Sequence, residues 1–143
     1  MRLALASDHA GYDYKVIIHK WLIEQNYESH DYGCFSSDSV DYPDYAYIAS
    51  EAIQKGEADF GIFICGTGIG VSIAANKIKG IRAANCCNPE MARLAREHNN
   101  ANVLTFGARL ISIDTAKKII TDFLHAKFLG GRHKIRVDKL DAK

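Results

Sequence analysis

The sequence predicts an α/β protein: one domain around a five-stranded parallel sheet, with helices on both faces. Three observations carry this. Short apolar runs alternate with helix-spaced apolar stripes along the whole chain, the pattern of repeated βα units. Gly61-Ile62-Phe63-Ile64-Cys65 is continuously apolar, as a parallel strand covered on both faces must be. The length, 143 residues, suits a single domain that hides roughly two-thirds of its unfolded surface.

Leu3-Ala4-Leu5-Ala6 is an apolar run ending at Ser7-Asp8, and so a first strand. Tyr14, Ile17, Ile18, Trp21 and Leu22 then recur at helical spacing. Tyr27 to Tyr32 is a weaker strand, closed by Gly33 and followed by a polar loop, Ser36 to Asp41. Pro43 suits a helix's first turn, and Tyr45, Ile48, Ala49, Ala52 and Ile53 form the stripe behind it. The buried strand at 61–65 leads through a glycine loop into a short alanine-rich helix, Val71 to Lys77. Ile81 to Cys86 is the fourth strand. Asn88-Pro89 pairs an N-cap with a first-turn proline and opens a helix striped by Met91, Leu94, Ala95 and His98. Asn102 to Phe106 is the fifth strand, and Ser112 caps a helix carrying Ala116, Ile119, Ile120, Phe123 and Leu124. A basic tail, about 126–143, closes the chain, with Gly130-Gly131 as its hinge.

Hydrophobic residues make up 48% and charged residues 24%, a globular balance that excludes a disordered or collagen-like chain. A net charge of +1 gives no reason to expect nucleic acid as a partner. The charge is uneven, however: residues 1–59 hold 11 acidic and 4 basic side chains, residues 60–143 hold 6 and 14. That asymmetry fits either a lopsided solvated surface, or a second half that handles an anion or meets the first across a subunit interface. The longest charge-free run, Phe60 to Asn76, is interrupted by four glycines and is too short to span a membrane. The start shows no targeting segment. None of Cys34, Cys65, Cys86 and Cys87 forms a C-x-x-C pair, so no structural metal site is expected; free thiols suit a reducing cytoplasm.

In parallel α/β sheets ligands sit beyond the carboxyl ends of the strands, so the residues there carry the functional expectations. Cys65-Gly66-Thr67-Gly68-Ile69-Gly70 joins a buried strand to a helix. Alternating glycines bring backbone N–H groups close to a ligand, and the positive helix end makes Cys65 a candidate thiolate. The plainer reading is a tight turn with an inert buried cysteine. The P-loop pattern is absent, and the spacing is G-x-G-x-G without a ribose-binding acid after the next strand, so a dinucleotide is disfavoured.

Asp8-His9 at the first strand's end could bind hydroxyls or move protons, or simply cap a helix. His98-Asn99-Asn100 ends a helix, with His98 either a core histidine or part of a site near a strand's carboxyl edge. Arg109 follows the last strand, and Arg132 and Arg136, four apart, share a helix face as a phosphate clamp would, or belong to a solvated tail. Together these supply a base, an acid, an oxyanion cradle and an anion grip. Those are the parts for proton transfer beside a carbonyl on a phosphorylated substrate, chemistry that needs no cofactor.

SDHAGY, DYPDYA, ICGTGIGVSIAANKIKGIRAA, REHNNANVLTFGAR and GGRHKIRV, in order and over nearly the whole chain, resemble the B-type ribose-5-phosphate isomerases. The wider family includes galactose-6-phosphate and allose-6-phosphate isomerases. The resemblance implies a Rossmann-like α/β/α sandwich and interconversion of ribose 5-phosphate and ribulose 5-phosphate, a step of the pentose phosphate pathway. It further implies a homodimer with active sites shared between subunits, or a pair of such dimers as a tetramer. Cys65 would be the base, Gly66, Thr67, Gly68, Ile69 and Gly70 would cradle the enediolate with Thr67 near the ring oxygen, and His98 would open the furanose. Asp8 and Asn99 would hold hydroxyls, and His9, Arg109, Arg132 and Arg136 the phosphate. A six-carbon phosphosugar is the rival substrate, and a silent phosphosugar-binding module the rival class. Pure binding would not need Cys65, Thr67 and His98 together.

Overall fold

The computed structural model describes residues 1–143. In chain order the elements are β1 (Arg2–Ser7), α1 (Tyr12–Glu24), β2 (Glu28–Asp31), α2 (Tyr42–Gln54), β3 (Phe60–Cys65), α3 (Ile69–Ala75), β4 (Ala83–Asn85), α4 (Pro89–Asn99), β5 (Val103–Gly107), α5 (Ile113–His125) and α6 (Arg132–Asp141). The strands form one sheet in the order β2-β1-β3-β5-β4, every neighbouring pair parallel, as expected.

Right-handed crossovers decide which face each helix covers. The chain moves one way across the sheet from β1 to β2 and from β4 to β5, and the other way from β2 to β3 and from β3 to β4. Hence α1 and α4 share one face, with α5, while α2 and α3 share the other. Side-chain size follows. On the first face Leu3, Leu5, Ile62, Ile64, Leu104 and Phe106 pack against Ile18, Leu22, Ile119, Ile120 and Phe123. On the second, Ala4 and Ala6 meet Ala46, Ala49, Ala74 and Ala75, so helices and sheet approach closely around Phe63 and Cys65. Burying an aromatic such as Phe123 completely stabilises the fold by about 2–3 kcal/mol.

Several details differ from the sequence expectation. Ile17, Ile48 and Met91 are exposed, while Lys15 and Ala92 are fully buried. The glycine-loop helix begins at Ile69 and ends at Ala75, two residues before the expected span at each end. The fourth strand is only Ala83–Asn85, shorter at both ends than the expected Ile81 to Cys86. The segment read as a tail holds a ten-residue helix, α6, anchored by buried Val137. No helix is long and apolar enough to cross a membrane.

Outgoing connections from neighbouring β1 and β3 leave in opposite directions. Their following helices therefore cover opposite faces, the arrangement that in such sheets forms the ligand-binding crevice beyond the carboxyl ends.

Candidate active site

Cys65 ends β3 at this crevice, 4% exposed. The loop behind it turns back because Gly68 adopts φ 78°, in the left-handed region. That turn brings the Gly68 N–H to donate to Cys65 Sγ at 3.1 Å. A donor aimed at the sulfur stabilises negative charge on it. Thr67 is exposed, and its hydroxyl accepts from the Ile69 N–H at 3.2 Å. Two further glycines make room for neighbours. A side chain on Gly107 would meet Thr67 backbone at 2.6 Å, and one on Gly70 would meet the Tyr42 ring at 2.7 Å.

Asp8 is 7% exposed beyond β1, with its Oδ1 accepting from the Gly11 N–H at 3.1 Å. Its backbone N–H donates to Ile64 O at 3.3 Å, which ties it to the strand carrying Cys65. His9 Nδ1 accepts from the Val40 N–H at 3.2 Å, so its remaining ring proton sits on Nε2, a donor facing away from Val40. Arg109, exposed just past β5, lies over Gly66, with Nη1 only 3.1 Å from where a Gly66 Cβ would stand. Asp8, His9, Cys65, the glycine loop and Arg109 thus gather at one edge, as expected.

His98, Asn99, Arg132 and Arg136 do not join them. The expectation that the end of α4 lies near a strand's carboxyl edge is corrected by the direction of the helix. α4 starts where β4 ends and runs back for 11 residues, about 16 Å, to where β5 begins. There the Asn102 N–H donates to Arg82 O, and Asn102 O accepts from Gly61 at the start of β3. His98 and Asn99 therefore lie at the amino edge of the sheet. They have company: α6 packs on this end of α4, and the His133 ring stacks on His98 with centroids 4.3 Å apart and planes 6° from parallel. Arg132 and Arg136 are exposed on α6, joined by an Arg136 Nη1 bond to Arg132 O at 2.8 Å. Burial, then His98, then Arg132 and Arg136 lower the His133 pKa from its usual value. A cleft of about 900 Å³ opens here beside Asn99, and Cys65 is not among the residues that line it.

The expected site residues thus fall into two groups, one at each edge of the sheet. Tyr42, against Gly70, and His133, against His98, were not singled out in the sequence. Tyr42 stands in DYPDYA and His133 between Arg132 and Arg136, but neither position reveals which ring or glycine it packs against.

A doubly wound α/β fold, with a cysteine and a glycine cradle at its switch point, defines a small-ligand α/β protein. A family model described as Ribose/Galactose Isomerase matches residues 3–140, and the chain belongs to that family. It is 46% identical over 141 residues to ribose-5-phosphate isomerase B of Escherichia coli K12, covering 99% of this chain and 95% of that protein. The solved Clostridium thermocellum ribose-5-phosphate isomerase B superposes with a TM-score of 0.98 at 49% identity, covering 99% of this chain and 96% of that one. Ribose-5-phosphate isomerase B from Mycoplasma genitalium, solved with bound ribulose 5-phosphate, superposes at 0.94 and 42% identity, over 99% of this chain and 94% of that one.

Proposed function

We propose that the protein is an aldose–ketose isomerase that interconverts ribose 5-phosphate and ribulose 5-phosphate through an enediolate. The carrying observation is the Gly68 N–H donating to Cys65 Sγ at 3.1 Å in a chain of the Ribose/Galactose Isomerase family. Relatives named ribose-5-phosphate isomerase B, one of them solved with ribulose 5-phosphate, support the five-carbon substrate.

In the open-chain sugar, Cys65 as thiolate takes the proton from C2 and returns it to C1, while the hydroxyl proton of O2 passes to O1 within the enediolate. Negative charge developing on the oxygens is met by the N–H groups of the loop from Gly66 to Gly70. Such preorganised donors contribute a few kcal/mol, about 2.7–4 for a single one. His98 donates the proton that opens the furanose, with Thr67 near the ring oxygen. Asp8 and Asn99 hold hydroxyls, and His9, Arg109, Arg132 and Arg136 hold the phosphate.

The working unit is a homodimer, one half-site facing the other across the two-fold axis. Support comes from the separation of the half-sites and from the apolar side chains beside each. Ile69 and Ile73 stand exposed next to the glycine loop, and Leu129 and Ile135 next to the arginines. The four free cysteines suit work in a reducing cytoplasm.

The test is an isomerase assay with ribose 5-phosphate beside six-carbon phosphosugars, on parent and Cys65→Ala protein. Removing a general base should cost about 10²–10⁴-fold in kcat while substrate still binds. Near-normal turnover in the alanine variant would sink the assignment of the base.

A further inference from the structure

We propose that Arg82, through its ion pair with Asp141, is a positioning residue that sets the arginines of α6 against His98 and Asn99 of α4. The inference rests on the reading that α6 holds the substrate phosphate.

Arg82 is the residue before β4, and its backbone is fixed. Its N–H donates to Asn102 Oδ1 at 2.8 Å, and its carbonyl accepts from Asn102 and Val103. From that anchor the side chain reaches two other elements. Nε donates to Asn100 O at 3.0 Å, in the turn that ends α4 directly after His98 and Asn99. Nη1 donates to both carboxylate oxygens of Asp141 at 2.9 and 3.0 Å, in the last turn of α6. The guanidinium is only 18% exposed and the carboxylate 44%, so the pair is better shielded than an ordinary surface bridge. The sheet, the end of α4 and the far end of α6 meet on one side chain.

That tie matters because α6 is held at few points. It follows Gly130 and Gly131, both at positive φ and both with open space where a Cβ would point. Near its start the Leu129 N–H donates to Glu97 O at 3.0 Å, and His133 stacks on His98. Val137 is the one buried residue of the helix. The Asp141 tie is at the far end, and without it α6 can pivot about its glycine hinge. A pivot shifts Arg132 and Arg136 relative to His98 and Asn99, so the phosphate and the hydroxyls of one sugar are no longer met together. Charge-assisted contacts that cannot all form at once weaken the grip on bound substrate. The proton transfer at Cys65 lies on the other half-site and is left intact.

Steady-state kinetics of Asp141→Asn, Asp141→Glu, Arg82→Gln and the double variant Asp141→Asn with Arg82→Gln test this, with Arg136→Ala alongside. Asp141→Asn should raise KM for ribose 5-phosphate about three- to tenfold, with kcat within about twofold of the parent. Asp141→Glu should recover most of the loss, and the double variant should be no worse than Arg82→Gln alone, because the two residues act as a unit. A thermal melt of each variant separates this from a purely structural role. A lowered melting temperature with unchanged KM in Asp141→Asn overturns the proposal, as does a fall in kcat at unchanged KM. If Arg136→Ala raises KM and Asp141→Asn does not, only the positioning role fails. If Arg136→Ala leaves KM unchanged, the phosphate reading fails and the inference falls with it.

Discussion

Gly68 combines a crowded position with a left-handed backbone. A Cβ there would stand 2.3 Å from Asn85 Oδ1 and 2.6 Å from the Phe106 carbonyl carbon, at a φ of 78° that L side chains rarely adopt. Gly68→Ala should therefore cost about 2–4 kcal/mol, overpacking and backbone strain together, read as a lower urea midpoint at unchanged slope. Activity should fall further than stability, because the same shift moves the N–H off Cys65 Sγ. His98 has a subtler signature. If it opens the furanose, His98→Asn should slow ribose 5-phosphate more than ribulose 5-phosphate, which has no furanose to open, and equal losses would assign it another role. His133 gives a pH dependence. Its folded pKa is lowered by burial, His98, Arg132 and Arg136, so below the ordinary histidine value the unfolded chain binds more protons than the folded one. Its contribution is present above about 6.5 and lost as pH falls through the lowered folded value. Melting temperature should drop between pH 7.5 and pH 5, and His133→Phe, which keeps the stack without the charge, should blunt that drop. Cys65 and the glycine loop are legible in sequence because backbone geometry demands glycine there. Tyr42 and His133 are not, because an aromatic beside a site looks like any other aromatic until its contacts are known.

At the scale of elements, what reads well is what depends on local chemistry. Ser112 caps α5 by accepting from the Thr115 N–H, and all five residues of its expected stripe are buried. Asn88 caps α4 in the same way, accepting from Met91. What reads poorly depends on tertiary partners. Lys15 looks like a solvated charge on α1, yet it is fully buried, because its ammonium finds both Asp31 oxygens and Cys34 O. It thereby ties α1 to the end of β2, and Ile17, two residues on and so across the helix, is left outside. The short edge strand β4 hides a similar device. The Asn76 amide donates to Ala83 O and accepts from the Ala83 N–H, both at 2.9 Å, closing two of the outward backbone groups that could template another strand. Asn76→Ala should lose about 1–2 kcal/mol, measured as a lower urea midpoint, and should raise self-association in light scattering. An unchanged midpoint would mean that water replaces the amide without loss.

The whole molecule poses a problem of distance. β3 and β5 span about 16–20 Å, so Cys65 at one end of the sheet cannot share a sugar phosphate with His98 and the α6 arginines at the other. The alternation of strands and helices already contains this result: every helix between parallel strands returns to the amino edge, so His98, at the end of α4, belongs there. What sequence order does not contain is which surface of a second copy covers which edge. The charge asymmetry, acidic before residue 60 and basic after it, suits halves that meet between chains. Mixing two dead or weakened proteins tests the geometry directly. On the proposed roles, every site of a Cys65→Ala dimer lacks its base, and every site of an Arg136→Ala dimer has a weakened grip. If the two residues enter one site from different chains, a hybrid dimer holds one fully intact site and one doubly defective site. Random pairing at equal amounts makes about half the dimers hybrids, so about a quarter of the parent's sites return. Assayed well below the parent KM, where Arg136→Ala alone contributes little, activity should climb to roughly a quarter of the parent value as subunits exchange. Differently tagged chains report that exchange independently. Full exchange with no recovered activity would put Cys65 and Arg136 in the same chain's site and overturn the shared-site dimer.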